Sequence, residues 1–353
     1  METDPPSGPP HRRRKRYSGT HPRRFDEKYK ELAAERFPEA AAKAQARGST
    51  PAGAHLPVML AEVAAALEPL AGATILDCTL GWGGHARELC LRAGPQGRVI
   101  AIDRDGEELA RTEARLLRQG AALTVRRGNY AGAAKVLREL GLAGVDALLA
   151  DLGVSSMQLD RPERGMSFKT DGPLDMRMDR SRGETAADWL ARSDEEKIAD
   201  VLRRFGDEPD AAAIAAALAG LAARGRAPKT TRQLVAAVGV AKGLGPGPFL
   251  KKDAFAVHPA ARTFQALRIV VNCEHEALAQ LLRDLPWLLR SGGRAVLLSF
   301  HSGEETLVAD ALREQARAGL WLAAPAEPLR PSPEEVRLNP RSRSARLWRV
   351  VRA

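Results

Sequence analysis

A turn containing three glycines follows an apolar segment early in the chain. Gly81, Gly83 and Gly84 come after the run 74–79, and a helical pattern begins directly behind them. Glycine permits positive φ and lets backbone N–H groups approach a ligand at the start of a helix. The turn therefore predicts a nucleotide-type cofactor. Because Gly81, Gly83 and Ala86 also satisfy the looser G-x-G-x-x-G/A pattern of dinucleotide sites, NAD remains open on this feature alone.

Three acids stand at the ends of predicted strands. Asp103 lies 22 residues after Gly81, where its carboxylate can accept hydrogen bonds from both ribose hydroxyls of either NAD or S-adenosylmethionine. Asp77 precedes the turn where dinucleotide sites usually have an apolar residue, and Asp151 ends the fourth strand at the edge where open α/β sheets bind ligands. Each acid alone is equally compatible with a solvated strand end. Together they favour a cationic sulfonium over a pyrophosphate, because a buried carboxylate needs a partner.

Short apolar runs alternate with helical patterns around these residues. Strands are predicted at 74–79, 98–103, 123–126 and 145–151, with helices around 86–92, 107–119 and 132–140. Parallel strands need crossover helices, so this alternation predicts an α/β fold with a parallel, doubly wound, Rossmann-like sheet.

The alternation stops after residue 158 and resumes near the C-terminus. Residues 159–258 begin as a polar loop and continue as helical patterns, with a capping-box signature at Ser193 and Glu196. Helices at 262–271 and 276–289 then precede strands at 295–300 and 347–351. We therefore expect an all-helical domain inserted into the sheet domain.

The composition favours a polyanionic partner. The 353 residues have a formal net charge of +10, a pI near 9.9 and 44% hydrophobic content. Residues 1–54 are predicted to be a disordered basic extension that ends in a short helix at 25–46 and serves as a nucleic-acid tether or a solvated tail. The sequence has no apolar run of membrane-spanning length and no signal-peptide core, and its three cysteines are far apart, so a cytoplasmic location without membrane contact is expected. No metal is expected, because His55, His85, His258 and His301 lack ligand spacing.

Nine strings of residues carry a resemblance to a known family. They are HLPVML (55–60), GGH (83–85), AIDRD (101–105), DLGVSS (151–156), ERGMSF (163–168), DGPLDMRM (171–178), HPAARTFQALRI (258–269), SFHS (299–302) and NPRSRS (339–344). In this order they resemble the 16S rRNA (cytosine-N4)-methyltransferases of the MraW family, from about residue 55 to the C-terminus. Trp82, Cys78, Tyr130 and Gly303 depart from the residues more usual in that family.

The resemblance implies a class I methyltransferase core at 55–158 and 259–353, interrupted by a helical substrate-recognition domain at 159–258. It implies S-adenosylmethionine as cofactor and a P-site cytosine of 16S rRNA, within the small ribosomal subunit, as substrate. The oligomeric state is left open, a homodimer included. The cofactor-binding residues that the resemblance implies are Gly83, Gly84, His85, Asp103, Tyr130, Asp151 and Gln158.

Methylation of an exocyclic amine needs alignment of the nitrogen with the methyl group and acceptors for the amine hydrogens. We expect Asp151 to orient cofactor and amine, and Ser155 or backbone carbonyls of the same loop to accept an amine hydrogen. A direct transfer is expected, because no cysteine follows the fourth strand as a nucleophile.

Aromatic and basic residues are candidates for receiving the flipped base and the RNA backbone. The aromatic candidates are Phe168, Phe264 and Phe300, for which core packing is the favoured alternative. The basic candidates are Arg164, Arg177, Arg262 and Arg268, and near the C-terminus Arg337, Arg341, Arg343 and Arg346, for which a solvated stretch is the alternative to phosphate binding. Three other classes of protein fit the sequence less well. For an NAD oxidoreductase, the sequence offers no separate candidate for the general acid. A non-catalytic RNA-binding protein would not need the glycine turn and the three acids Asp77, Asp103 and Asp151. A DNA amino-methyltransferase usually has an Asn/Asp-Pro-Pro-aromatic signature after the fourth strand, which is absent here.

Overall fold

The structure is a computed structural model that describes residues 57–118, 120–247 and 258–353. The predicted basic extension at 1–54, the helix predicted within it and His55 lie outside the described residues.

The described strands form one six-stranded sheet in the order β3-β2-β1-β4-β5-β6. They are β1 (Thr74–Asp77), β2 (Arg98–Asp103), β3 (Leu123–Arg127), β4 (Val145–Asp151), β5 (Leu289–Ser299) and β6 (Arg346–Val351). The pairs among β1 to β5 are parallel, and β6 runs antiparallel to β5. The predicted Rossmann-like α/β fold is confirmed.

Strand β5 is longer than the pattern predicts, because it begins at Leu289 and not at 295. Its first part contains Gly292 and Gly293, and a pair of adjacent glycines is typical of a turn. Leu289 nevertheless pairs with Val145, and a register shift between Val145 and Ala147 accommodates the irregularity.

The helices of the described ranges follow the predicted alternation. They are α1 (Leu60–Leu67), α2 (Gly84–Ala93), α3 (Gly106–Arg118), α4 (Ala133–Glu139), α5 (Ser156–Asp160), α6 (Ala186–Arg192), α7 (Glu195–Gly206), α8 (Ala211–Ala223), α9 (Thr231–Ala241), α10 (Ala261–Asn272), α11 (Glu274–Leu288), α12 (Ser302–Arg317) and α13 (Pro333–Leu338). Among the residues described, no helix is long and apolar enough to cross a membrane.

The sheet separates two apolar cores. Alternate strand residues point to opposite faces, so Leu76 and Leu148 join a cluster with α11 and α12, while Ile75 and Leu149 join another with α1 and α2. The sheet is therefore covered on both faces, and its carboxyl edge stays accessible.

The helical segment has a core of its own, which extends from Leu174 to Ile269. Helix α10 contributes Phe264, Leu267 and Ile269 to this core. The domain boundary predicted after residue 258 places the same helix in the sheet domain. The predicted cap at Ser193 is wrong. Helix α7 is capped one residue later, where the Asp194 side chain accepts a hydrogen bond from the Lys197 backbone N–H at 2.8 Å.

Candidate cofactor and active site

A cavity of about 640 Å³ lies at the carboxyl ends of the parallel strands. The loops that follow β1, β2, β3, β4 and β5 all contribute to its wall. Every residue predicted for the site lines it, namely Gly83, Gly84, His85, Asp103, Tyr130, Asp151, Ser155 and Gln158. The fold thus brings together residues that are far apart in sequence, as expected for strand ends on one sheet edge.

The glycine turn after β1 is conformationally demanding. Gly81 has φ of 47° and Gly83 has φ of 68°, values that favour glycine. A Cβ added to Gly83 would lie 2.7 Å from Cδ1 of Leu116 and 2.9 Å from Cγ2 of Thr112. The Thr112 hydroxyl also donates to the Gly81 carbonyl at 2.9 Å. The turn is therefore packed against α3, and its other side faces the cavity.

The Asp103 carboxylate connects the end of β2 to the glycine turn. Its Oδ2 accepts a hydrogen bond from the Gly81 N–H at 2.7 Å, and its Oδ1 accepts one from the Asp105 N–H at 2.9 Å. Burial raises its pKa in spite of these two bonds. Each oxygen retains a lone pair, so the carboxylate is held in place and can still accept hydroxyl donors from the cavity.

Asp77 and Asp151 are coupled through one hydroxyl. The Asp151 N–H donates to Oγ1 of Thr79 at 2.7 Å, and that hydroxyl lies 3.4 Å from Oδ1 of Asp77. Asp77 is completely buried, and its Oδ2 has no partner among the described residues. Burial raises its pKa to about 7. Within residues 57–118, 120–247 and 258–353, no cation pairs with this buried carboxyl.

Asp151 lines the cavity at the end of β4. Its side chain is 29% exposed, yet Oδ1 is buried and has no hydrogen-bond partner in the part of the chain described. Burial, together with the negative charges of Asp77 and Glu304, raises its pKa to about 8. A cation bound in this cavity would favour the ionised form of the carboxylate.

His85 does not supply that cation. Burial lowers its pKa to about 4, so the ring is neutral near pH 7. Nε2 lies 3.1 Å from the Val58 carbonyl, which can only accept, so the ring proton is on Nε2. The unprotonated Nδ1 then faces Oδ2 of Asp151 at 3.8 Å. His85 thus supports the wall of the cavity without neutralising the acids.

Ser155 and Gln158 form a capping box at the start of α5. The Gln158 N–H donates to Oγ of Ser155 at 3.2 Å, and the Gln158 side-chain oxygen accepts from the Ser155 N–H at 3.0 Å. The Gln158 amide nitrogen also donates to Asp105 at 2.9 Å. Both side chains therefore fix the loop after β4, a role that the sequence interpretation did not include.

Trp82 stands inside the glycine turn and lines the cavity. The Arg115 guanidinium lies 5.3 Å from the centre of its ring and also donates to the Trp82 carbonyl. This cation-π contact anchors the indole to α3. Nothing in the structure explains why its buried Nε1 lacks a partner among the described residues.

Four charged or titratable residues at the cavity are not among the site residues predicted from the sequence, which gives Arg268 only as a candidate for RNA contact. Arg268 on α10 makes a bidentate ion pair with Glu274 on α11, with both N–O distances at 2.9 Å. His301 and Glu304 follow β5 and contact each other at 3.3 Å. The two pairs lie far from each other in sequence, one on α10 and α11 and the other after β5, so no local pattern indicates that they meet at one cavity.

Several predicted RNA-facing side chains have other roles in the fold. Arg164 is completely buried and pairs with Asp105 at 2.8 Å. Arg177 makes a bidentate contact with Asp175. For Arg164 the prediction is wrong, because the side chain is buried and neutralises an acid that is 59 residues away in sequence. Arg177 keeps a side chain that is 20% exposed, and its RNA-facing role stays a prediction.

The other candidates divide between core and cavity. Phe264 is buried in the helical core, and Phe168 stacks on His258 with ring centres 4.2 Å apart. Phe300 and Arg341 line the cavity. Arg341 also pairs with Asp160 at 3.0 Å, although the sequence around it lacks acids.

The arrangement fits S-adenosylmethionine. The glycine turn offers a close backbone approach, Asp103 offers acceptors for ribose hydroxyls, and the partnerless Oδ1 of Asp151 offers negative charge to a sulfonium. A pyrophosphate would meet uncompensated carboxyls at the same place. The sheet and this cavity therefore define a Rossmann-like methyltransferase.

Comparison with known proteins agrees with this class. Residues 52–353 match the MraW methylase family, and the chain therefore belongs to that family, with S-adenosylmethionine as its cofactor. It is 40% identical to ribosomal RNA small subunit methyltransferase H 1 of Lachnoclostridium phytofermentans, over 98% of this chain and 94% of that protein. It is 43% identical to ribosomal RNA small subunit methyltransferase H of Methylococcus capsulatus, over 82% of this chain and 97% of that protein. A solved structure that also matches is Aeropyrum pernix fibrillarin with natively bound S-adenosyl-L-methionine, at 13% identity, 82% and 74% coverage and a TM-score of 0.35.

Proposed function

We propose that the chain methylates small-subunit ribosomal RNA, and that the acceptor is N4 of a P-site cytosine in 16S rRNA. The relatives named above are small-subunit rRNA methyltransferases, and they match this chain over most of its length. The net charge of +10 suits a polyanionic substrate. The cytosine and its N4 atom rest on the resemblance of the sequence strings.

The observation that carries the chemistry is the partnerless oxygen of Asp151 at the end of β4. Bound S-adenosylmethionine supplies an electrophilic methyl group on a sulfonium. Asp151 then has two tasks: it balances the positive charge near the methyl group, and it accepts a hydrogen bond from the amine that attacks. The hydrogen bond from the amine strengthens as positive charge moves from sulfur to nitrogen, so it stabilises the transition state more than the bound reactants.

The remaining site residues position the reactants. Asp103 and the glycine turn hold the nucleoside part of the cofactor, and Tyr130 covers it from the loop after β3. The capping box of Ser155 and Gln158 fixes the loop next to Asp151, so the backbone carbonyls of that loop are preorganised as further acceptors. Positioning of this kind contributes much of the rate, because transfer requires nitrogen, carbon and sulfur in line.

Access for a base requires that it leave its stack, since the cavity lies at the sheet edge behind loops from several strands. Arg341 and Arg343 line the same cavity as the cofactor residues, near the chain's C-terminal strand. Guanidinium groups at this position suit the phosphates next to the flipped nucleotide. We place the RNA backbone on this side of the cavity.

Asp151→Asn tests the assignment, with Asp146→Asn as its matched control on the same strand. Asp146 stands at the opposite end of β4, where it pairs with Arg290 at 2.8 Å and does not line the cavity. We expect Asp151→Asn to lower kcat for methyl transfer to small subunits by about 10²-fold, and Asp146→Asn to leave it within about twofold. Wild-type turnover and cofactor affinity in Asp151→Asn would contradict the assignment.

A further inference from the structure

A row of three side chains leads from the interior to the cavity at the end of β5. Glu304 is 3% exposed and lines the cavity. Its Oε2 accepts a hydrogen bond from the Phe300 N–H at 2.8 Å, and its Oε1 lies 3.3 Å from Nε2 of His301. A Cβ added to Gly153, in the loop after β4, would lie 3.8 Å from the same Oε1. Glu304 therefore faces the loop that begins with Asp151.

His301 contacts Glu304 through both ring nitrogens, one facing the backbone and the other the carboxylate. Nδ1 accepts a hydrogen bond from the Glu304 backbone N–H at 3.3 Å and caps α12. A neutral ring that accepts at Nδ1 carries its proton on Nε2, the atom that faces Oε1 of Glu304. Nε2 has no hydrogen-bond partner among the described residues, so its contact with Oε1 is electrostatic, and the His301 ring supports the carboxylate from one side.

His275 in turn holds the His301 ring. The two rings are stacked, with centres 5.8 Å apart and an interplanar angle of 20°. Phe205 contacts the ring of His275 edge-on at 4.9 Å. The buried Nε2 of His275 has no hydrogen-bond partner among the described residues, and the contacts with His301 and Phe205 are made by the ring.

Gly303 makes room for this pair of rings. A Cβ at Gly303 would lie 2.8 Å from Cε1 of His275 and 3.3 Å from Nδ1 of His301. Gly303 is not among the residues with positive φ, so its backbone does not require glycine. Glycine in the first turns of a helix costs stability relative to alanine, and the cost is offset here by the space that the rings need.

We propose that Glu304 is a second catalytic carboxylate, which takes the proton released from the amine, and that His275 positions it through His301. This inference rests on the proposed function. As the amine nitrogen forms its bond to the methyl carbon, the bond from that carbon to sulfur breaks and its electron pair stays on sulfur. One N–H proton then passes from the nitrogen to Oε1 of Glu304.

Two roles for carboxylates follow from the geometry. Asp151 lies at the end of β4 and orients the amine, while Glu304 lies across the loop from it and accepts the proton. An exocyclic amine carries two hydrogens, so two separate acceptors can hold it in line with the methyl group.

A series of variants at His275 tests the positioning role. Glu304→Gln should lower kcat by about 10²-fold while the Kd for S-adenosylmethionine stays within about twofold, because general-base loss affects the chemical step. His275→Ala should lower kcat by about tenfold with KM for small subunits unchanged, since the carboxylate is displaced and substrate binding is not. His275→Phe keeps a ring against His301 and should retain kcat within about threefold.

Gly303→Ala provides an independent perturbation of the same ring. It should lower kcat as His275→Ala does, and the double variant should be no worse than His275→Ala alone, because both changes act on one contact. Wild-type kcat in His275→Ala, or equal impairment in His275→Phe and His275→Ala, would overturn the positioning role. Wild-type kcat in Glu304→Gln would overturn the catalytic role. If the unaltered chain does not methylate small-subunit rRNA, the proposed function fails instead, so the two failures are distinguishable.

Discussion

Replacement of Gly83 by alanine measures how closely the cofactor turn is packed. Two costs add at this position. A left-handed backbone conformation costs a residue with a Cβ about 1–2 kcal/mol, and Gly83 has φ of 68°. The new methyl group would also lie 2.7 Å from Leu116, an overpacking that costs about 1–3 kcal/mol. We therefore expect Gly83→Ala to lower the free energy of unfolding by about 2–5 kcal/mol.

Gly72→Ala is the matched control, because it separates the backbone cost from the packing cost. Gly72 has φ of 73°, and a Cβ there would meet no atom within 4 Å. It should lose about 1–2 kcal/mol, the backbone cost alone. Urea unfolding of both variants, with m-values compared, gives the difference directly. Equal losses in the two variants would refute the account of the turn as packed against α3.

Three further predictions concern charge. Arg164→Met should lower the free energy of unfolding by about 3–5 kcal/mol in urea unfolding, because it leaves a buried acid unpaired; a loss below about 1 kcal/mol would contradict this. The pKa of Asp77 is raised from 3.8 to about 7, so the folded chain keeps a proton that the unfolded chain releases. The stabilising contribution of this carboxyl is therefore present below about pH 4 and is lost as pH rises towards about 7. Asp77→Asn should remove this part of the pH dependence of the free energy of unfolding. Identical pH profiles of unfolding for the variant and the unaltered chain would contradict the raised pKa. Replacement of Arg341 and Arg343 by glutamine should reduce the slope of log K for RNA binding against log salt by about 1–2, whereas Arg337→Gln, away from the cavity, should change it less; equal slopes in all variants would exclude phosphate contacts at the cavity.

Most of the sheet and the cofactor edge was predictable because both depend on local patterns. Apolar runs ending in Asp103 and Asp151 marked strand ends, and parallel topology requires those ends to meet at one edge. The glycines at 81 and 83 marked a turn with positive φ, which the structure confirms. These features follow from the sequence alone, since periodicity and glycine conformation act within a few residues.

The long-range pairings were not predictable in this way. Arg164 was interpreted as RNA-facing, but it lies in the interior against Asp105, 59 residues away in sequence. Glu304 lines the cavity from α12 and His275 stacks on His301 from α11, and nothing in their spacing indicates that they belong to one row of side chains. The chemistry of amine methylation predicts Ser155 as an acceptor for an amine hydrogen. The structure adds that Ser155 caps the start of α5, a role that depends on where this helix begins. Contacts of this kind depend on how helices pack on the sheet, which a single sequence does not encode in a local pattern.

The position of the transferred methyl group tests the proposed function most directly. The purified chain is incubated with labelled S-adenosylmethionine and small ribosomal subunits or free 16S rRNA, and the RNA is digested and mapped by mass spectrometry. We expect label in N4-methylcytidine at one P-site cytosine. Label on another base or on another atom of cytosine, or no transfer to either substrate, would contradict the proposed function.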